Sequence, residues 1–85
     1  MKEIISVQPL ENYHLLLEFD NGEKRKADIS NLLEKPVFSF LKNINLFKSV
    51  YIEYGAVTWK NPDGNEVDIC PDKLYMDSKE IGNEP

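Results

Sequence analysis

Apolar residues recur along this chain at two spacings, and the spacing changes several times between the ends. "EIISVQP", Glu3 to Pro9, is rich in β-branched residues, stops at a proline and reads as a strand. "YHLLLEF" follows, with Tyr13, Leu15, Leu17 and Phe19 alternating onto one face and Leu16 on the other. "DNGE" closes a hairpin into "KRKAD". A two-residue Asn21-Gly22 loop would set Asp20 against Glu23, two like charges in one cross-strand pair. A three-residue loop with Gly22 in the left-handed bulge position instead pairs Glu18 with Lys24 and Leu15 with Ala27, and is preferred.

The same sorting applies to "VTWKNPDGNEVDI". Pro62 has its φ preset, Asp63 follows, and Gly64 takes a positive φ at no steric cost, which is a type I turn with a glycine bulge. The pairs are then Lys60 with Glu66, Trp59 with Val67, Thr58 with Asp68, and Val57 with Ile69. Opposite charges meet on one face and apolar groups on the other. "VYIEYGAVTW" reads as two strands turned at Gly55.

Between the hairpins the spacing turns helical but short. Asp28 or Ser30 caps a helix through "NLLEK" that Pro36 ends. Val37, Phe38, Phe40, Leu41, Ile44 and Phe47 continue at helix-like intervals, with Asn43 and Asn45 breaking them into turns. "PDKLYMDS" opens on proline and aspartate, as a C-terminal helix does. The predicted architecture is α+β: an antiparallel sheet built from two hairpins plus extra strands, with short helices packed on one face and a C-terminal helix. Residues 1–78 form a single compact domain and 79–85 a flexible tail.

Composition narrows the function. A chain of 85 residues has room for one core. Its lone Cys70 forms no internal disulfide and points to a reducing compartment, and no apolar run suits a signal peptide or a membrane span, so a cytoplasmic location is expected. The formal net charge is −5, and it divides unevenly. Residues 1–49 balance seven acids with seven bases, whereas 50–85 carry eight acids and three bases. Such a surface repels phosphate backbones and favours a basic partner over direct nucleic-acid binding. Asp63, Glu66, Asp68 and Asp72 are the candidate partner-binding residues.

Catalytic chemistry finds little support. His14 falls on the strand face opposite Leu15 and Leu17, and Cys70 is placed under the first turn of a helix as inert packing, so no nucleophile–base pair is expected. One cysteine and one histidine cannot complete a zinc site, and the EF-hand, phosphate-loop and Rossmann patterns are absent. No catalytic, cofactor-binding or metal-binding residue is therefore assigned. Trp59 would be a hot spot if exposed, but its cross-strand mate Val67 and its neighbour Val57 favour the core.

Read in order, "V-x-P-L…Y-x-L-x-x-x-F-x-x-G-E", "D-I-S-x-L-L", "F-x-x-L", "F-x-x-V" and "V-x-W…P-D-G-x-x-V-D-I-x-P-D-x-L-Y" span Val7 to Tyr75. This ordering resembles domain of unknown function 2442, a family of small bacterial proteins, with Asn61-Pro62 as an extra pair before the turn. The resemblance implies a compact α+β fold similar to the N-terminal domain of certain two-domain bacterial proteins. Some relatives append a helix-turn-helix; none follows in this sequence, so DNA contact is not implied. Family members often stand beside a second small protein, a pairing read as toxin and antitoxin, and no catalytic residues are established to carry over. The reading is of a non-enzymatic protein-interaction module, the antitoxin-like partner of a small basic protein. The alternative is a stand-alone ligand-binding or regulatory domain normally fused to an effector. A free strand edge leaves a homodimer open as well.

Overall fold

The computed structural model describes residues 2–81. The chain is α+β with two antiparallel sheets. The first holds β1 (Ile4–Pro9), β2 (His14–Phe19), β3 (Lys24–Asp28) and β7 (Lys79–Ile81), in the order β1-β2-β3-β7. The second holds β4 (Tyr51–Glu53), β5 (Ala56–Lys60) and β6 (Glu66–Ile69), in that order. Two 3-10 segments, Ser30–Glu34 and Pro36–Lys42, lead into the single-turn α1 (Ile44–Phe47), and α2 (Pro71–Asp77) precedes β7. The two expected hairpins thus fall in separate sheets.

Both registers follow the charge sorting. Glu18 faces Lys24 and Leu15 faces Ala27 in the first hairpin. Lys60 faces Glu66, Trp59 faces Val67, Thr58 faces Asp68 and Val57 faces Ile69 in the second. Gly22 and Gly64 hold the two bulges at φ 89 and φ 85. Side chains alternate across each strand, so Leu15, Leu17 and Phe19 of the first sheet and Val57, Trp59 and Ile69 of the second reach one shared core. Phe38, Leu41, Phe47 and Leu74 cover it from the helical segments. The helical run is broken as the asparagines require: the Asn43 side chain accepts the Asn45 N–H and caps α1. Asp28 accepts the Ser30 N–H at 2.9 Å in the turn that enters the Ser30–Glu34 segment, whose N-cap position is Ile29 and makes no side-chain capping bond.

Tyr13 departs from the expected alternation. It sits in a 3-10 turn at φ 60, its hydroxyl donating to the Lys42 carbonyl at 2.9 Å and its ring lying edge-on to Phe47. Those two contacts hold a bulky residue in the left-handed region.

Residues 79–81 also depart from expectation. They are β7, paired with β3 through Lys24–Ile81, Arg25–Glu80 and Lys26–Lys79, rather than the start of a flexible tail. Residues 82–85 lie outside the described residues. The pairing is short, and it is held at one end by Arg25. This side chain donates through Nε to Ser78 Oγ at 2.7 Å, through Nη2 to the Ser78 carbonyl at 2.9 Å, and through Nη1 to Glu23 at 2.8 Å. Tyr75 donates to the other Glu23 oxygen at 2.6 Å, and the guanidinium lies 4.1 Å from the Tyr75 ring centroid. The basic strand is therefore an inner strand of its sheet, between β2 and β7. Arg25 turns inward as a clamp, while Lys24 and Lys26 face solvent.

Where the sheets meet, the Ile4 N–H donates to the Gly55 carbonyl at 2.9 Å. Gly55 has φ 76, and an added Cβ would meet Glu3 Cγ at 2.9 Å. Gly55→Ala is expected to cost about 1–2 kcal/mol from the left-handed backbone, with more from the Glu3 Cβ at 3.0 Å, which is fixed to its own backbone and cannot rotate away. A thermal melt that fell by less than about 2 °C would contradict this.

Candidate functional site

Alternation in the three-stranded sheet sends Val57, Trp59 and Ile69 inward, and so sends Tyr51 and Glu53 of β4, Ala56, Thr58 and Lys60 of β5, and Glu66 and Asp68 of β6 to the outer face. A shallow hollow of about 280 Å³ opens there, lined by Glu53, Tyr54, Ala56, Thr58, Glu66 and Asp68. Its floor is made of small side chains. Thr58 is only 2% exposed although it points away from the core, and its hydroxyl donates to the Ala56 carbonyl at 3.1 Å. Its walls carry three carboxylates. At its rim stands Tyr54, 95% exposed and held at φ 52 in the tight β4–β5 turn with Gly55.

One polar contact ties the face together. The Tyr51 hydroxyl donates to Glu66 Oε2 at 2.7 Å. This bond to a carboxylate, with burial and the charges of Glu66 and Glu53 acting in the same direction, pushes the phenol up from 10.0 to about 12. Glu66→Gln removes the strongest of these causes and should return the Tyr51 ionisation most of the way to the ordinary tyrosine range, as read by ultraviolet titration of the phenols. The neutral Tyr51 is the form the fold favours. Its contribution is complete below pH 10 and is lost as pH rises through about 12.

Of the four acids singled out from sequence, the structure brings Glu66 and Asp68 into this hollow. Asp63 sits at the tip of the β5–β6 turn, its N–H donated to Asn61 Oδ1, and Asp72 sits in the first turn of α2; neither lines the hollow. Glu53, Tyr51 and Tyr54 were not singled out. The signal for them was the alternation Tyr-x-Glu before the Tyr54-Gly55 turn, which becomes informative only once β4 is paired with β5.

His14 and Cys70 lie apart from this face. Cys70 is exposed, not packed inward: Ile69 takes the inward place at the end of β6, so the next residue alternates out before Pro71. His14 donates its Nδ1–H to the Glu11 and Asn12 carbonyls, and its Nε2 lies 3.8 Å from Asp28. It lines a second hollow of about 380 Å³ with Lys26, Asp28, Asp77, Lys79 and Ile81, and Cys70 is not among the residues lining that hollow. Among the described residues no three His, Cys, Asp or Glu side chains are grouped to hold a metal ion, and no helix is long and apolar enough to cross a membrane.

Fold and site together define a small α+β protein with an acidic, tyrosine-rimmed sheet face. The sequence model of a family described as "Protein of unknown function (DUF2442)" matches residues 4–80, and the chain belongs to that family. No curated protein and no solved structure matches it.

Proposed function

We propose that this protein is a non-enzymatic interaction module that receives a small basic protein on the outer face of β4, β5 and β6, in the manner of an antitoxin holding its partner. The observation that carries this reading is the placement of Glu53, Glu66 and Asp68 around a floor of Ala56 and Thr58, with Tyr54 exposed at the rim. A lysine or arginine side chain fits that arrangement. Its charge complements the three carboxylates, of which Glu66 also accepts the Tyr51 hydroxyl and faces Lys60 across the strand pair, and its aliphatic stem or guanidinium plane stacks on the tyrosine. The excess of eight acids over three bases after residue 49 extends the same field beyond the contact and speeds encounter with a cationic surface.

The experiment is co-expression with the protein encoded alongside, followed by size exclusion at low and high salt. Co-elution at low salt, weakened by salt, is expected. The triple variant Glu53→Gln, Glu66→Gln, Asp68→Asn should weaken the complex by about tenfold or more. Equal binding by that variant would remove this face from consideration.

A second reading has its own observation. The hollow at His14 places Lys26 and Lys79 in one cross-strand pair, an unfavourable juxtaposition of like charges that a small anionic ligand would relieve. A thermal-shift screen of small anions separates this regulatory-domain reading from the first.

A further inference from the structure

We infer that the partner engages β6 by strand addition: an extended basic segment pairs with its open side as a fourth strand of the sheet. This rests on the basic-partner reading above and specifies how that partner is held.

Among the described residues, the order β4-β5-β6 leaves one side of β6 without a neighbouring strand. The direction of its backbone groups follows from the hairpin. Asn61 N–H donates to the Asn65 carbonyl at 2.9 Å, making that pair a hydrogen-bonded one. In an antiparallel ladder bonded and non-bonded pairs alternate. Lys60–Glu66 is then non-bonded, Trp59–Val67 bonded, Thr58–Asp68 non-bonded and Val57–Ile69 bonded. Glu66 and Asp68 therefore aim their N–H and C=O groups away from β5, and both residues are exposed. The residues that present open backbone groups are the same two that place carboxylates in the acidic hollow.

That coincidence selects the occupant. A second copy of this chain pairing edge to edge would set Glu66 and Asp68 beside their own equivalents, and like charges in adjacent strands repel. A basic strand meets the opposite situation. Glu66 and Asp68 are two residues apart, about 6.6 Å along the strand, which matches cationic side chains at alternate positions of the added strand. The intervening positions fall on the side of Val67, which is half-buried, and suit a β-branched residue. The recognised pattern is basic–apolar–basic. Main-chain hydrogen bonds supply affinity and the alternate side chains supply selectivity.

The test uses a short peptide alternating lysine with valine, the same peptide N-methylated on the backbone at every second residue, and amide hydrogen exchange read by NMR at low salt. In the free protein the Glu66 and Asp68 amides should exchange faster than those of Val67 and Ile69. The unmodified peptide should slow Glu66 and Asp68 by about tenfold or more, and N-methylation should weaken binding by a similar factor. Binding of both peptides alike, or binding that leaves the two amides unprotected, overturns strand addition while the basic-partner reading stands. If neither peptide binds at low salt, both readings fall.

Discussion

Trp59→Ala is expected to remove most of the stability of this protein. Trp59 is 0% exposed, stacks on Phe47 at 6.3 Å between centroids and meets Phe38 edge-on, so its loss opens a void where strand β5, the 3-10 segment and α1 converge. Deleting a buried tryptophan side chain costs about 3–5 kcal/mol. A domain of this size has about 4–13 kcal/mol in total. Urea unfolding followed by circular dichroism should place the variant near or below the threshold of folding. Trp59→Phe makes a finer test. It retains an aromatic ring but leaves the Phe47 carbonyl without the indole N–H that donates to it at 2.9 Å, at a cost of about 1–3 kcal/mol. A phenylalanine variant as stable as the parent would show that this carbonyl is satisfied some other way.

Arg25→Ala is the second large effect. The side chain makes two hydrogen bonds to Ser78 and one to Glu23, and it covers the Tyr75 ring. Charge-assisted bonds of this kind, lost together, are expected to cost about 2 kcal/mol or more. The loss should be local first: β7 detaches, and the amides of residues 79–81 exchange freely while those of β2 stay protected. Arg25→Lys should not rescue, because one ammonium cannot reproduce the planar fork that reaches Ser78 and Glu23 at once. If β7 exchange is unchanged in the alanine variant, the clamp is not what holds that strand.

The clamp also sets an acid limit. The Tyr75 hydroxyl bonded to Glu23, with smaller contributions from Asn21 and Arg25, outweighs burial and holds the Glu23 carboxyl below its ordinary 4.5. A depressed folded pKa gives stability that is complete above the unfolded value and is lost as pH falls through the folded one. The contribution of Glu23 is therefore present above pH 4.5 and disappears below it. Tyr75→Phe should shrink this acid-side loss more than Arg25→Ala does, since the phenol is the larger cause.

Which features were legible in the sequence follows from how local their causes are. Both hairpin registers were readable because each is decided within a few residues: the glycine position sets the bulge, and Lys60 against Glu66 or Glu18 against Lys24 confirms the pairing. The inward place of Trp59 followed from the same register. β7 was not readable, because three residues carry no period and their pairing depends on Arg25, far away in the chain. The outward thiol of Cys70 was misread for a different reason. The thiol was placed by the geometry of the helix that follows, whereas that helix begins only at Pro71 and the strand alternation that puts Ile69 inside puts Cys70 outside. At the acidic face, Glu66 and Asp68 were visible from one hairpin, whereas Glu53 and Tyr54 join them only through the second turn.

The contact between Arg25 and Ser78 spans 53 positions, and this bears on how the protein comes into being during translation. At about 5–20 residues per second, Arg25 is synthesised about 3–10 s before the serine that locks the first hairpin. Through that interval the aromatic flank of Phe19 waits without the Tyr75 ring that lies 5.2 Å from it in the finished fold. A nascent chain stalled before residue 75 should therefore be digested by protease at β2 and β3, and one released after residue 81 should resist.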